Sequence, residues 1–588
     1  MNQLEFMGCM GVFLAGLIGL GKGWKKTAAP VLAAAMFLFV AFLPWPTFDL
    51  LIKENRHLKR WATPRMREIR LGWYGFAGFF SAAVALGVLL MKPPVGKREA
   101  RWDTPRRNWD TGKPLAKLFK SGKADARTFL GIANGNHKVF LKDEARERHM
   151  QVVGPTRCGK SQLLLALAGQ DMRRGLPVFL MEAKGDRSDF DQFLKLASMT
   201  GREDKVLYFN PQDARSMSFN PIRMVPGQDS TAIANQIARA IGREPTASGE
   251  GQDYYRSVDY AKIQNMAEVF CRTGRQFTLK DCFHYFTSEE ARTKAFRLCK
   301  DQRLVQSAKE EFKRNPDTTA LSAAFQPWTT GSLGLLLNSY APTIRLEQIF
   351  DESRLAYFAL PIGHLQVLAN PLGRMIISGL LSVASWRQQT EPKPGPASVI
   401  LDEFAEFATP VFASFIATVG SARLWTILSH QDLGQLKKVQ GMDADAFASA
   451  VFNNTSGCKV CFRAPDPEDA EFWSSTLGTY TTFDTTERVQ KGLLGLQRTG
   501  EMSLREVEHF RIHPNTLKNL ASGSALIFSP GSQDCLARTA AVASVLKDIA
   551  LPPLRTPLAE LEEGLDLESA VPADPNVARA HSSGRAVS

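Results

Sequence analysis

The eight residues Gly154-Pro155-Thr156-Arg157-Cys158-Gly159-Lys160-Ser161 constrain this chain more than any other stretch. They fit Gly-x-x-x-x-Gly-Lys-Ser/Thr, follow the apolar run His149–Val153 and precede Gln162–Ala168, whose pattern is helical. A strand, a glycine-bearing loop and a helix in that order make an anion cradle, because backbone N–H groups and the positive end of the helix dipole face one point. Such a loop takes the phosphates of a nucleotide, here ATP with Mg2+. Lys160 is expected on the β- and γ-phosphates and Ser161 on the metal. A bare glycine turn would not need both flanks.

The complement to that loop lies far along the chain. The apolar run Ala397-Ser398-Val399-Ile400-Leu401 reads as a strand and ends in Asp402-Glu403-Phe404. Asp402 is placed to order the magnesium shell, and Glu403 to act as general base on the attacking water. A further strand, Leu424–Ser429, is followed by His430-Gln431, where an amide suits water positioning or γ-phosphate sensing. Arg423, just before that strand, is a candidate for reaching a neighbouring subunit's nucleotide; a solvated surface arginine is the competing reading.

The rest of the chain alternates strands and helices. Strand-like runs at Pro177–Met181, Leu355–Leu360, Cys458–Phe462 and Ala525–Phe528 join those above, which predicts an α/β fold with a parallel sheet and its sites at strand ends. Between Thr231 and Asn338 the pattern is helical, with Ile233, Ile237, Ala240 and Ile241 on one face. This predicts an inserted all-α unit. With 588 residues, 44% of them hydrophobic, the chain can bury at least one large core.

The N-terminal part has a different character. Leu71–Met91 is an uncharged apolar run flanked by Trp73-Tyr74 and Lys92, long enough to cross a bilayer, and Thr27–Phe48 and Leu4–Leu20 are further candidate spans. Residues 1–91 hold ten basic against four acidic residues, and residues 92–150 hold fifteen against seven, so the whole of the net charge of +13 sits there and the remainder is about neutral. That location points first to an anionic lipid surface and second to nucleic acid. Both the segment Lys53–Arg70 and the segment after Met91 are basic; a nucleotide site requires the C-terminal side to be cytoplasmic. The eight scattered cysteines make no disulfide framework, and Cys458-Lys459-Val460-Cys461 reads as core thiols rather than a zinc half-site.

The organisation expected is therefore 1–91 transmembrane (two or three helices), 92–148 a linker and small leading layer, 149–230 and 351–550 the two parts of a nucleotide-binding domain, 231–350 the inserted all-α domain, and 551–588 a solvated acidic tail with Glu560, Glu562, Glu563, Asp566 and Glu568.

Several of these residues together resemble the type IV coupling proteins, the membrane-anchored ATPases of conjugation and type IV secretion within the FtsK/HerA-like P-loop motors. The likeness spans about residues 95–550. It rests on Ala100-Arg101-Trp102, Gly154-Pro155-Thr156, Lys184-Gly185-Asp186, Asp402-Glu403-Phe404, Gln431 with Gln435-Leu436, and Asn454–Phe462. Glu182 stands where members of the family carry Asp. The resemblance implies a RecA-like nucleotide domain with the α insertion, a homo-hexameric ring, and a multi-pass protein of the bacterial inner membrane. It further implies a relaxase-bound single DNA strand or protein effectors as cargo, passed to a type IV secretion channel. A double-stranded DNA translocase and a nucleotide-stabilised docking scaffold without motor activity are the alternatives.

Overall fold

The computed structural model describes residues 104–105, 109–120, 126–244, 252–437, 443–492, 495–529 and 534–554. The expected membrane spans within 1–91 lie outside the described residues, as does the expected tail beyond residue 554.

Thirteen strands are formed among the described residues: β1 Arg127–Ala133, β2 His137–Lys142, β3 Met150–Val153, β4 Val178–Glu182, β5 Val206–Phe209, β6 Leu355–Ala359, β7 Ala397–Leu401, β8 Leu424–His430, β9 Cys458–Cys461, β10 Thr479–Gly492, β11 Gly495–Phe510, β12 Ser524–Phe528 and β13 Cys535–Thr539. Eleven of them make one sheet in the order β2-β1-β13-β12-β9-β3-β8-β7-β4-β6-β5. From β9 to β5 every pairing is parallel. From β9 outward through β12, β13, β1 and β2 every pairing is antiparallel. The strands β10 and β11 pair with each other in a separate sheet.

The parallel half explains why its strands are visible as unbroken apolar runs. Every residue of β3, β4, β6, β7, β8 and β9 is buried, because helices cover both faces of a parallel sheet. The antiparallel extension is less visible in sequence. β1 and β2 form a hairpin within the stretch expected to be linker and leading layer, where Gly131 lies in β1 opposite Thr539 and Val139. β5 is a four-residue strand directly before Asn210-Pro211, too short to stand out by period. Asn453-Asn454 close a helix, Ala444–Asn454, ahead of β9. Cys458 packs into the main core while Cys461, on the opposite face of β9, packs with Trp473 and Leu517. Both are free thiols buried in the core.

Between β5 and β6 the described residues are helical, from Ser230–Ala240 through Leu346–Asp351. Their core is aromatic: Phe270 stacks on Phe277 at 4.8 Å and Phe286 on Phe325 at 5.8 Å, with Tyr285 edge-on to Phe270. Thr278 and Asp281 close a reciprocal cap at the start of Leu279–Thr287. The helix Ser230–Ala240 ties this layer to the sheet through Gln236, whose amide donates to the carbonyls of Pro221 and Met375, each at 2.8 Å. Met375 lies on Ala369–Thr390. The stretch Ile362–Thr390 is the one helical segment among the described residues long and apolar enough to cross a membrane. It serves here as a core helix, with Leu372, Met375, Ile376, Leu380 and Val383 buried.

One buried ion pair fastens the loop-bearing helix Lys160–Arg173 to the sheet. Arg146, just before β3, donates to both carboxylate oxygens of Asp171 at 2.6 and 2.7 Å, and both side chains are fully buried. The same guanidinium donates to Thr128 of β1 and Ser398 of β7, and lies 5.0 Å from the ring centroid of Trp425 in β8. Three strands and a helix thus meet on one side chain. Arg146→Met removes the bidentate partner of Asp171 and leaves it only the longer contact to Arg174, at 3.8 Å, and is expected to cost about 3 kcal/mol in chemical denaturation. The double variant R146M/D171L should recover most of that loss.

Candidate nucleotide site

The loop after β3 is shaped by contacts from remote segments. A side chain at Gly154 would put its Cβ 2.6 Å from that of Phe462 and 3.0 Å from the sulfur of Cys158, so only glycine fits. Gly523 donates its N–H to the Cys158 carbonyl at 2.7 Å, and the Ser522 hydroxyl donates to the Arg157 carbonyl at 3.0 Å. Thr156 and Arg157 are exposed at the crest, and Arg157 adopts φ 61°. Gly159, at φ 115°, opens the helix without a side-chain cap, so the first helical N–H groups face the loop interior.

Lys160 is buried and folds back over the loop. Its ammonium donates to the carbonyls of Gly154 at 2.5 Å and Pro155 at 3.3 Å, and stands 3.9 Å from Glu403 Oε1. The Ser161 hydroxyl donates to Asp402 Oδ2 at 3.4 Å. Asp402 Oδ1 accepts from Ser429 at 2.7 Å, and Glu403 Oε2 accepts from the Gln431 amide at 3.1 Å. Lys160, Ser161, Asp402, Glu403 and Gln431 are therefore brought together in one cleft, on the C-terminal edge of β3, β8 and β7. Arg423 is not. It precedes β8 at the opposite end, about 20 Å away by strand rise, and pairs with Glu147 at 3.2 Å.

Glu403 has φ 54°, a left-handed conformation that costs a non-glycine residue free energy. In an extended strand, consecutive side chains point to opposite faces. The left-handed turn sets the Glu403 carboxylate beside that of Asp402, as their common neighbour Lys184 shows. Its ammonium is 3.4 Å from Asp402 Oδ2 and 3.3 Å from Glu403 Oε1. Burial pulls the Lys184 pKa down, but the two carboxylates outweigh it and hold the ammonium protonated beyond its ordinary range. Glu182 ends β4 and accepts from the backbone N–H of Lys184 at 2.6 Å and of Gly185 at 2.9 Å, which fixes the turn carrying Lys184. Burial pushes the Glu182 pKa up to about 8 against those two donors.

These residues fit a magnesium nucleotide. Glu403 Oε1 is buried with no hydrogen bond of proper geometry, and Asp402 Oδ2 faces the Ser161 hydroxyl. Among the described residues no three His, Cys, Asp or Glu side chains converge into a cage. Magnesium at a phosphate loop does not need one, since it takes one or two protein oxygens and the phosphates. A cavity of about 690 Å³ opens beside Gly154, Pro155 and Gln431, floored by Phe452 and Trp473.

Sequence reasoning left Ser429, Glu182 and Lys184 without roles. Ser429 carried a signal, as a polar residue closing an otherwise apolar strand. Lys184 carried none beyond its motif, because its reach to Asp402 depends on β4 lying next to β7. His430 is fully buried behind Gln431. Its Nδ1 lies 2.8 Å from the Asp432 carbonyl, which only accepts, so Nδ1 carries the proton and Nε2 accepts from the Gln151 amide at 2.9 Å.

The fold and this cleft define a P-loop protein of mixed α/β class. Residues 396–519 match the family model described as the TraM recognition site of TraD and TraG. The type 4 coupling protein DotL of Legionella pneumophila is 21% identical over 479 residues, 70% of this chain and 60% of that protein. The chain thus spans 60% of the length of that relative. The trigonal form of the bacterial conjugative coupling protein TrwB in complex with sulphate is similar in fold, with a TM-score of 0.51 at 16% identity over 79% of this chain and 98% of that one. TrwB in complex with ADP and Mg2+ matches 79% of this chain and 97% of that one at 16% identity, with a TM-score of 0.48. The resemblance to the type IV coupling proteins read from the sequence is borne out by the family model and by DotL.

Burial drives the His430 pKa down from 6.5 to about 4, so the folded protein holds this ring neutral. The associated stability is present above pH 6.5 and is lost as pH falls through about 4. Relative to His430→Gln, the wild type should lose up to about 1.4 kcal/mol per pH unit across that window in denaturant titrations.

Proposed function

We propose that this chain is an ATP-hydrolysing coupling protein of a bacterial inner membrane, which receives a substrate and drives it into a type IV secretion or conjugation channel. The observation that carries the reading is the convergence of Lys160 and Ser161 from one strand end with Asp402 and Glu403 from another. Lys160 would leave the Gly154 and Pro155 carbonyls for the β- and γ-phosphates. Ser161 and Asp402 would hold magnesium, which supplies charge neutralisation on the phosphates when bound. Glu403 would take the proton of the attacking water, with Gln431 fixing the orientation of its carboxylate.

Arg423 lies out of reach of its own loop, so any role at a nucleotide would be exercised on a neighbouring copy in a homo-hexameric ring. Activity is then expected to be low in a monomer. The basic residues 92–150 and the apolar runs before them suit a multi-pass anchor with the catalytic domain in the cytoplasm. The likeness of residues 396–519 to a TraM recognition region supports a partner protein docked on this part of the chain, with cargo in the form of a relaxase-bound single DNA strand or protein effectors.

Lys160→Ala should weaken fluorescent ATP-analogue binding by about tenfold or more, and Glu403→Gln should keep binding while slowing phosphate release by about a hundredfold. Substrate transfer in cells should fail in both. Transfer that persists in K160A would replace the motor reading with a docking scaffold.

A further inference from the structure

Asp402 and Glu403 are each only 4% exposed, and their carboxylates lie close enough to share one ammonium. Two buried like charges at that separation repel strongly in a low-dielectric cleft unless a cation stands between them. Two lysines face the pair. Lys160 touches only Glu403, at 3.9 Å, and is otherwise committed to two loop carbonyls. Lys184 touches both carboxylates, and the oxygen it meets on Asp402 is Oδ2, which also faces Ser161. Asp189, which interacts with Asp402 and with the Ser161 hydroxyl, adds negative field to the cleft.

From this arrangement we infer that Lys184 is a placeholder cation, a positioning residue that occupies the magnesium position beside Asp402 Oδ2 and yields it only when a magnesium nucleotide enters. The inference rests on the nucleotide reading of the site and deepens it. Asp402 Oδ2 and Ser161 Oγ are the oxygens assigned to the metal, so an ammonium at 3.4 Å from Oδ2 and a dication there exclude one another by charge and by space. The displaced side chain has a path out, since it is 36% exposed whereas both acids are nearly closed to solvent. The turn that carries it stays fixed: Glu182 grips its N–H, and Gly185, at φ 70°, packs against Pro361 so closely that a Cβ would come within 2.6 Å.

The consequence is that the acidic pair does not take free magnesium. With Lys184 in place the cleft is already neutralised, and metal gains entry only with the phosphates it serves. That would keep the Ser161 and Asp402 oxygens from being filled by metal ahead of nucleotide. It also makes Lys184 responsive to whether the site is loaded.

The test uses the full-length protein and magnesium alone. Lys184→Met and Lys184→Gln remove the charge, and Lys184→Arg keeps it. Calorimetric titration with MgCl2, without nucleotide, should show binding in K184M and K184Q at least about tenfold tighter than in the wild type, while K184R stays near the wild type. Unchanged magnesium affinity in the neutral variants would overturn the inference. Should those variants not fold, acetylation of Lys184 in the wild type, followed by mass spectrometry, reads the same displacement. Its rate should rise when MgADP binds; a constant or falling rate would overturn the inference. Wild-type protein that binds magnesium nucleotide normally while these readouts fail leaves the proposed ATPase function standing. Wild-type protein that binds no magnesium nucleotide overturns both.

Discussion

The site depends on a lateral offset in the sheet. β3, which ends in the phosphate loop, and β7, which ends in Asp402-Glu403, are not neighbours; β8 lies between them. Two strand spacings set the ends about 10 Å apart, which leaves room for phosphates and metal while a lysine side chain still spans the gap. Adjacent strands would crowd the acids against Lys160 and fill the space a nucleotide needs. The intervening strand is not idle: Ser429 and Gln431 at its end each hold one of the two acids.

Within that frame two buried clusters of charge are each answered by opposite charge. Arg146 and Asp171 satisfy each other beneath the loop-bearing helix. Asp402 and Glu403, forced together by the left-handed backbone at Glu403, are answered by Lys184 and Lys160. The first pair is sealed among four secondary-structure elements and holds the scaffold. The second opens to solvent along Lys184 and is the one that can be rearranged. Rigid support under a loosely held cluster of charges is what a site must have if it is to bind, react and empty again.

Much of this was legible in the chain because parallel strands are buried on both faces. β4, β6, β7, β8, β9 and β12 stand out as apolar runs, and polar residues at their ends mark the cleft. β1, β2, β5 and β13 were not marked. β1 is interrupted by Gly131 and β2 has only three apolar residues between Lys138 and Lys142, β5 is only four residues long, and Gly131 resembles a turn until its partner Thr539, more than 400 positions away in the sequence, is known. The hairpin β10–β11 was missed because its strands are rich in Thr, Glu and Arg rather than apolar residues.

The linear order of residues determined which chemistry is present: a loop whose glycines and lysine suit phosphate, a strand that delivers two acids, an amide at the end of another. Those are local facts, set by backbone sterics and by residue type within a few positions of one another. Only the tertiary structure decided which groups meet. It removed Arg423 from its own cleft and placed Ser429 on Asp402. It set Lys184 between two carboxylates more than 200 residues further on. The physical reason is that strand order is a property of the whole sheet, chosen by the packing of long-range apolar surfaces, and no window of the sequence contains it.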